Sequence, residues 1–263
     1  MDESVFPVVF GIDLDAEASW LGKAAENADR PVLLSIGRYA VEEGLEPLLT
    51  LLKKRGIGAT FFIPGIIAER YPDSVRAICA GGHEVGSHGH MHRSPPLLTA
   101  EEERDELFRG IDAVTAASGQ RPVSWQSPAW EFTARTIPLL LEAGVTVSAN
   151  FQDRDRPYRH TRDGRPLPLV ECPVHWHLAD APYFTHGGQP GRVIQTHSAV
   201  LEIWRDEFAG LYERPGAYFH LTLHVQLIGH PSRLAMLERL MEFIEAHPRA
   251  RFMTCAEVAA QVP

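Results

Sequence analysis

The decapeptide 83–92, HEVGSHGHMH, carries four of the chain's 13 histidines. Neutral imidazole is a strong ligand for divalent ions, and two imidazoles four residues apart converge on one ion from a helical turn or a tight loop. Alternation along 83–88 puts Glu84, Gly86 and His88 on one face, so His88 leaves its strand at the carboxyl end, and Ser94-Pro95-Pro96 turns the chain soon after His92. Spacing alone does not decide which two of His88, His90 and His92 would ligate. A third ligand is offered by VVFGIDLDAE, in which Val9, Gly11, Asp13 and Asp15 share a face opposite Val8, Phe10, Ile12 and Leu14. Two carboxylates so close repel each other. A cation beside them relieves that repulsion and leaves one acid to bind it and the other to handle a proton. In AYFHLTLHVQ, His220, Thr222, His224 and Gln226 form a polar face opposite Leu221, Leu223 and Val225, which makes His224 a candidate acid or base.

These residues need a frame. Strand patterns fall at 5–15, 59–64, 83–88, 122–127, 145–151, 167–176 and 217–226, and helical periodicity at 42–55, 66–80, 100–118, 133–143 and 232–247. Thr99 with Glu102 forms a capping box before the third helix, and Gly144 ends the fourth. Alternating β and α without a linker predicts one α/β domain over 1–263, a (β/α) barrel of about seven strands with reactive residues at the carboxyl ends of the strands. The segment 153–165, rich in Arg and Asp, reads as a solvated loop. Of the 263 residues 44% are hydrophobic, enough for a full core, and the net charge of −9 argues against nucleic acid or an anionic membrane as partner. An acidic N-terminal stretch and three scattered cysteines read as a reduced, cytoplasmic protein, neither exported nor membrane-spanning.

Taken together, the motifs resemble those of the polysaccharide deacetylase superfamily, carbohydrate esterase family 4, over nearly the whole chain. GIDLDAE is similar to the first family motif and implies that Asp13 is the catalytic base and Asp15 a metal ligand. GHEVGSHGHMH is similar to the second, His-x-x-x-His, and implies His88 and His92 as the remaining ligands, leaving His90 out. GATFFIPG, RPVSWQSPAWEFT and LTLHVQLIGHPSRL look most like the branch of peptidoglycan-deacetylase-like tetramers, allantoinase-like proteins and cyclic imide hydrolases. That resemblance implies a distorted (β/α) barrel, His224 as general acid, a homo-oligomer such as a tetramer, and one divalent ion, zinc first, with cobalt or nickel as chemical alternatives.

Two departures bear on the site. Gln126 stands where many members carry an Arg that orients the base, and the Asp supporting the acid histidine is either Asp155 or Asp180. Trp130, Trp176, Tyr183 and Phe184 lie in segments that border the site, where an indole could stack on a ring. The expected activity is metal-dependent hydrolysis of a carbon–nitrogen bond in a small amide or cyclic imide, with the loop 185–191 folding over the pocket; the alternative is N-deacetylation of an acetylated amino sugar or glycan. Two other classes compete. Two His with one carboxylate is also the ligand set of Fe(II) oxygenases, and the missing Arg would suit an inactive homologue or binding protein.

Overall fold

The structure, a computed structural model, describes residues 4–186 and 193–263. Its frame is one sheet in the order β6-β7-β5-β4-β3-β2-β1-β8, with β9 also paired to β1. The strands are β1 (Phe6–Asp13), β2 (Thr60–Ile63), β3 (Glu84–Ser87), β4 (Ser124–Trp125), β5 (Val147–Ser148), β6 (Tyr158–Arg162), β7 (Arg165–Glu171), β8 (Phe219–His224) and β9 (Ala250–Phe252). Every pairing is parallel except the β6–β7 hairpin. The parallel run β7-β5-β4-β3-β2-β1-β8 is the seven-stranded wall expected from the sequence. No ladder joins β7 to β8, but a single parallel bridge, Ala179 to Thr222, spans the gap, so the barrel is distorted.

β1 is buried at every position. Val8, Phe10, Ile12 and Leu14 pack outward under the helices in the main apolar cluster, with Leu48, Leu52, Leu221, Leu223, Phe208 and Trp204. Val9 faces the other way, into a smaller cluster with Phe62, Val147, Val170 and Tyr218. The inner face around Gly11 and Gly86 is tight, since a β-carbon on Gly86 would sit 2.7 Å from the Phe62 ring. In register, Asp13 pairs with His224 across the β1–β8 ladder, which sets base and acid candidates side by side before any side-chain interaction is counted.

The helix Ala100–Ser118 begins with the Thr99/Glu102 capping box, and Gly144 ends Thr136–Glu142 in a left-handed conformation (φ 77°). The helical stretch expected at 66–80 is two helices, Gly65–Arg70 and Pro72–Ala80, because Pro72 starts a new helix and cannot continue the old one. Several helices were not expected, the longer of them Pro31–Tyr39 and His197–Tyr212, beside short ones such as Ala18–Leu21 and Cys255–Ala259.

The reading of 153–165 as a loop needs correction. It contains β6, turned into β7 at Asp163-Gly164, both with positive φ (51° and 75°), the conformation of a two-residue hairpin turn. As an outer strand of polar side chains, with only His160 buried, it lacks the apolar alternation that marks a strand, and its arginines blunt an open edge. The loop 185–191, expected to fold over a pocket, lies outside the described residues apart from Thr185 and His186.

Candidate active site

Asp13 ends β1, and Asp15 follows in the turn; each is 2% exposed. Asp15 Oδ2 accepts a hydrogen bond from the Ser19 hydroxyl (2.9 Å), while Asp15 Oδ1 is buried without any hydrogen-bond partner. That orphaned oxygen faces His88 Nε2 at 3.6 Å and His92 Nε2 at 3.5 Å. Two ligand atoms about 2.1 Å from an ion in tetrahedral geometry lie about 3.4 Å apart, so the donor set fits a divalent ion. The His88 Nδ1 atom lies 2.7 Å from the Gln126 carbonyl oxygen, which fixes the proton there and leaves the Nε2 lone pair free. Burial pushes His88 down to about 3 and lowers His92, so both rings are neutral and able to ligate. Burial would raise Asp15, but His92, His88 and His224 outweigh it and hold the acid at about 2.

His90 does not join them. Its ring turns to Glu69, with Nε2 3.1 Å from Oε1, and His83 packs on Phe61 at the far end of β3.

Beside Asp15, His88 and His92, the side chains of Asp13 and His224 face each other, with His224 Nε2 3.4 Å from Asp13 Oδ2. Behind His224 stands Asp180, fully buried. Its Oδ1 lies 2.7 Å from His224 Nδ1 and its Oδ2 accepts from the His224 backbone N–H at 2.9 Å. Burial opposes charge on this ring, but Asp180, then Asp13 and Asp15, prevail and raise His224 to about 10. Asp155, the other candidate support, is elsewhere. It pairs with Arg214 and lines a cavity of about 270 Å³ with Arg154 and Arg156. Its carbonyl binds Tyr218 N–H just before β8 begins, about 20 Å of strand away from His224.

Gln126 occupies the place of the missing Arg. The orientation of its amide follows from its neighbours, acceptors on one side and an indole N–H on the other: it donates to both Asp13 oxygens (2.8 and 3.1 Å) and accepts from Trp130 Nε1 at 3.3 Å. Two neutral hydrogen bonds thus aim the acid without the charge a guanidinium would bring. Burial, only partly offset by His224, pushes Asp13 well above the usual carboxylate range and makes it a better proton acceptor. Trp130 packs against Trp176 with ring centres 4.2 Å apart and planes tilted by 37°, and Trp176 is 44% exposed at the rim. Tyr183 and Phe184 lie further back, Tyr183 against Trp204 and Phe184 in the core. His92, Ala129 and Trp130 all adopt left-handed backbone (φ 60°, 57° and 56°), a cost of about 1–3 kcal/mol each that proteins tend to concentrate at functional sites. Ser19 carries no signal in the sequence that would single it out.

The family profile for polysaccharide deacetylase matches residues 26–148. Peptidoglycan deacetylase of Helicobacter pylori is 31% identical, with 96% of this chain and 94% of that one aligned. The chain belongs to the polysaccharide deacetylase superfamily. A Mycobacterium smegmatis chain, assigned as a polysaccharide deacetylase, superposes with a TM-score of 0.93 at 32% identity, over 99% of this chain and 91% of that one. An allantoinase shares the fold at a TM-score of 0.85 and 23% identity, over 99% of this chain and 91% of that one. The ligand set is one that hydrolases and Fe(II) oxygenases share; it is membership in this hydrolase superfamily that speaks against the oxygenase reading. Among the described residues no helix is long and apolar enough to cross a membrane.

Proposed function

We propose that the chain is a metal-dependent hydrolase that removes the acetyl group from an N-acetylated amino sugar. The observation that carries this reading is the grouping of Asp15, His88 and His92 between two oriented proton carriers, Asp13 on Gln126 and His224 on Asp180. Asp15, His88 and His92 would hold the ion, for which zinc suits the two imidazoles and one carboxylate best, with cobalt or nickel as substitutes. When bound, the ion supplies positive charge that acidifies water and polarises a carbonyl. Asp13, aimed by Gln126, takes the proton of the attacking water as its oxygen bonds to the carbonyl carbon. His224 keeps its Nδ1 proton on Asp180 and gives the Nε2 proton to the nitrogen as the carbon–nitrogen bond breaks. Acetate and an amine leave. Trp130 and Trp176 offer a face for a sugar ring. The three cysteines are free, which suits the reducing cytoplasm we propose as its compartment.

A second reading, opening of a compact cyclic amide or imide, is favoured by how closed the site is. Of the ionisable side chains at its centre, Asp13, Asp15, His88 and Asp180 are sealed off, and His92 (14%) and His224 (16%) alone among these six reach solvent to any extent. The test is a parallel assay of the zinc-loaded protein on N-acetylated chitooligosaccharides and on succinimide, hydantoin and allantoin. Acetate release is expected; ring opening without acetate release would replace the first reading by the second, and no turnover on either class would reject both.

Asp180→Asn tests the proton donor. Loss of the carboxylate charge lowers the His224 pKa, so kcat is expected to fall about 10²-fold with KM and metal content unchanged. Imidazole NMR of the metal-free protein reads the same residue directly; a His224 titration identical in wild type and variant would remove Asp180 from this role.

A further inference from the structure

The loop between the two ligand histidines belongs to no helix or strand, yet it must hold two imidazoles on one point. Its backbone polar groups therefore need partners from outside it. The carbonyls of Gly89 and His90 accept from the N–H groups of Gly65 and Ile66 (2.9 and 3.0 Å), at the start of the helix Gly65–Arg70. The N–H groups of His90 and Met91 both donate to one carboxylate oxygen, Glu106 Oε2, at 2.9 and 2.8 Å. The other oxygen, Oε1, accepts from Arg93 Nε at 2.7 Å, and Arg93 reaches on to Glu102 at 3.3 Å. Glu106 is 5% exposed and projects from the helix Ala100–Ser118. That helix lies directly on the loop, for a β-carbon at Gly110 would come within 2.3 Å of the Gly89 carbonyl oxygen.

We infer that Glu106 is a positioning residue for the metal centre, gripping the chain on both sides of His92. The inference rests on the proposed metal site. The two ligands are not held alike. His88 directly follows β3 and has its ring fixed by the Gln126 carbonyl. His92 sits on left-handed backbone (φ 60°), so the place of its ring opposite Asp15 depends on the path of the chain from His90 to Arg93. Glu106 binds that path at His90, Met91 and Arg93, three of its four residues. A buried carboxylate can also serve stability alone, and Glu103, one turn earlier on the same helix, is the internal comparison. It is 2% exposed and accepts from Thr133, Thr136 and Arg135, with no hydrogen bond to the loop.

The experiment measures zinc affinity by chelator competition, the visible spectrum of the cobalt-substituted protein, and the thermal midpoint, for wild type, Glu106→Ala, Glu106→Asp, Glu106→Gln and Glu103→Ala. Glu106→Ala is expected to weaken zinc binding about 10- to 100-fold and to change the cobalt bands as His92 drifts from the ion. Glu106→Asp, one methylene too short to reach the loop, should do the same and stands in if the Ala variant does not fold. Glu106→Gln keeps an oxygen that can accept both loop N–H groups and should restore most of the affinity. Glu103→Ala should lower the thermal midpoint and leave zinc affinity and cobalt spectrum unmoved. Wild-type affinity in both Glu106→Ala and Glu106→Asp would overturn the inference while leaving the metal site standing, as would equal weakening by Glu103→Ala. A wild-type chain that takes up no ion overturns the metal site and the inference together.

Discussion

Asp13→Asn is expected to lower kcat by about 10²- to 10⁴-fold while the protein keeps its full complement of metal. The substitution preserves shape, and its single side-chain oxygen can still accept from Gln126, so the pocket should not collapse. What it removes is the capacity to take a proton, and the described residues offer no ready replacement. His224 is held in its charged form by Asp180, and the other nearby carboxylate, Asp15, is held low and committed to the ion. Asp15→Asn should show the opposite division, with metal lost first and turnover lost in consequence. Metal analysis beside steady-state kinetics on both variants separates these outcomes. If Asp13→Asn loses the metal and Asp15→Asn retains it, the two acids have been given each other's roles.

The second large effect is that of the paired substitution His88→Ala with His92→Ala. Removing both imidazoles leaves Asp15 alone, and one carboxylate does not hold a transition-metal ion tightly, so uptake should fall below detection and activity with it. Both rings stand near the mouth of the barrel, outside the apolar cluster beneath the helices, so the fold is expected to survive. Circular dichroism and a denaturation curve would verify that. A correctly folded double variant that still binds one ion per chain would show that the ion is held elsewhere.

The strand β1 was legible because a fully buried parallel strand with two different environments writes a period of two: Val8, Phe10, Ile12 and Leu14 against Val9, Gly11, Asp13 and Asp15. β6 was not, since an edge strand in solvent has no apolar face to display, although Asp163-Gly164 is a hairpin turn signal in plain view. The helix His197–Tyr212 does carry its stripe, with Val200, Leu201, Trp204, Phe208 and Leu211 buried, and Thr196 caps it. In Pro31–Tyr39, by contrast, only Gly37 is buried, while Val32 and Ile36 are exposed, so periodicity there says little.

Within the site, Asp13, Asp15 and His224 stood out by their places at strand ends and the histidines of 83–92 by their density, while the choice of His88 and His92 over His90 came from the family resemblance. The choice between Asp155 and Asp180 could not be made that way. It depends on the bridge from Ala179 to Thr222, a contact between positions 43 apart in sequence that no local pattern encodes. Glu106 was hidden for a different reason. In the acidic run AEEERDE it looks like one more solvated charge, and only the packing of its helix on the histidine loop reveals that it is buried.

The roles of Asp13, Asp15, His88, His92 and His224 all depend on where the ion sits. Crystals of the wild-type protein grown with zinc, with diffraction recorded on both sides of the zinc absorption edge, locate it without reference to any substrate. The predicted result is one strong anomalous peak within coordinating distance of Asp15 Oδ1, His88 Nε2 and His92 Nε2, with Asp13 and His224 beside it and not bound to it. Zinc-saturated crystals with no peak among those three residues, or with the peak on His90 and Glu69 instead, would contradict it.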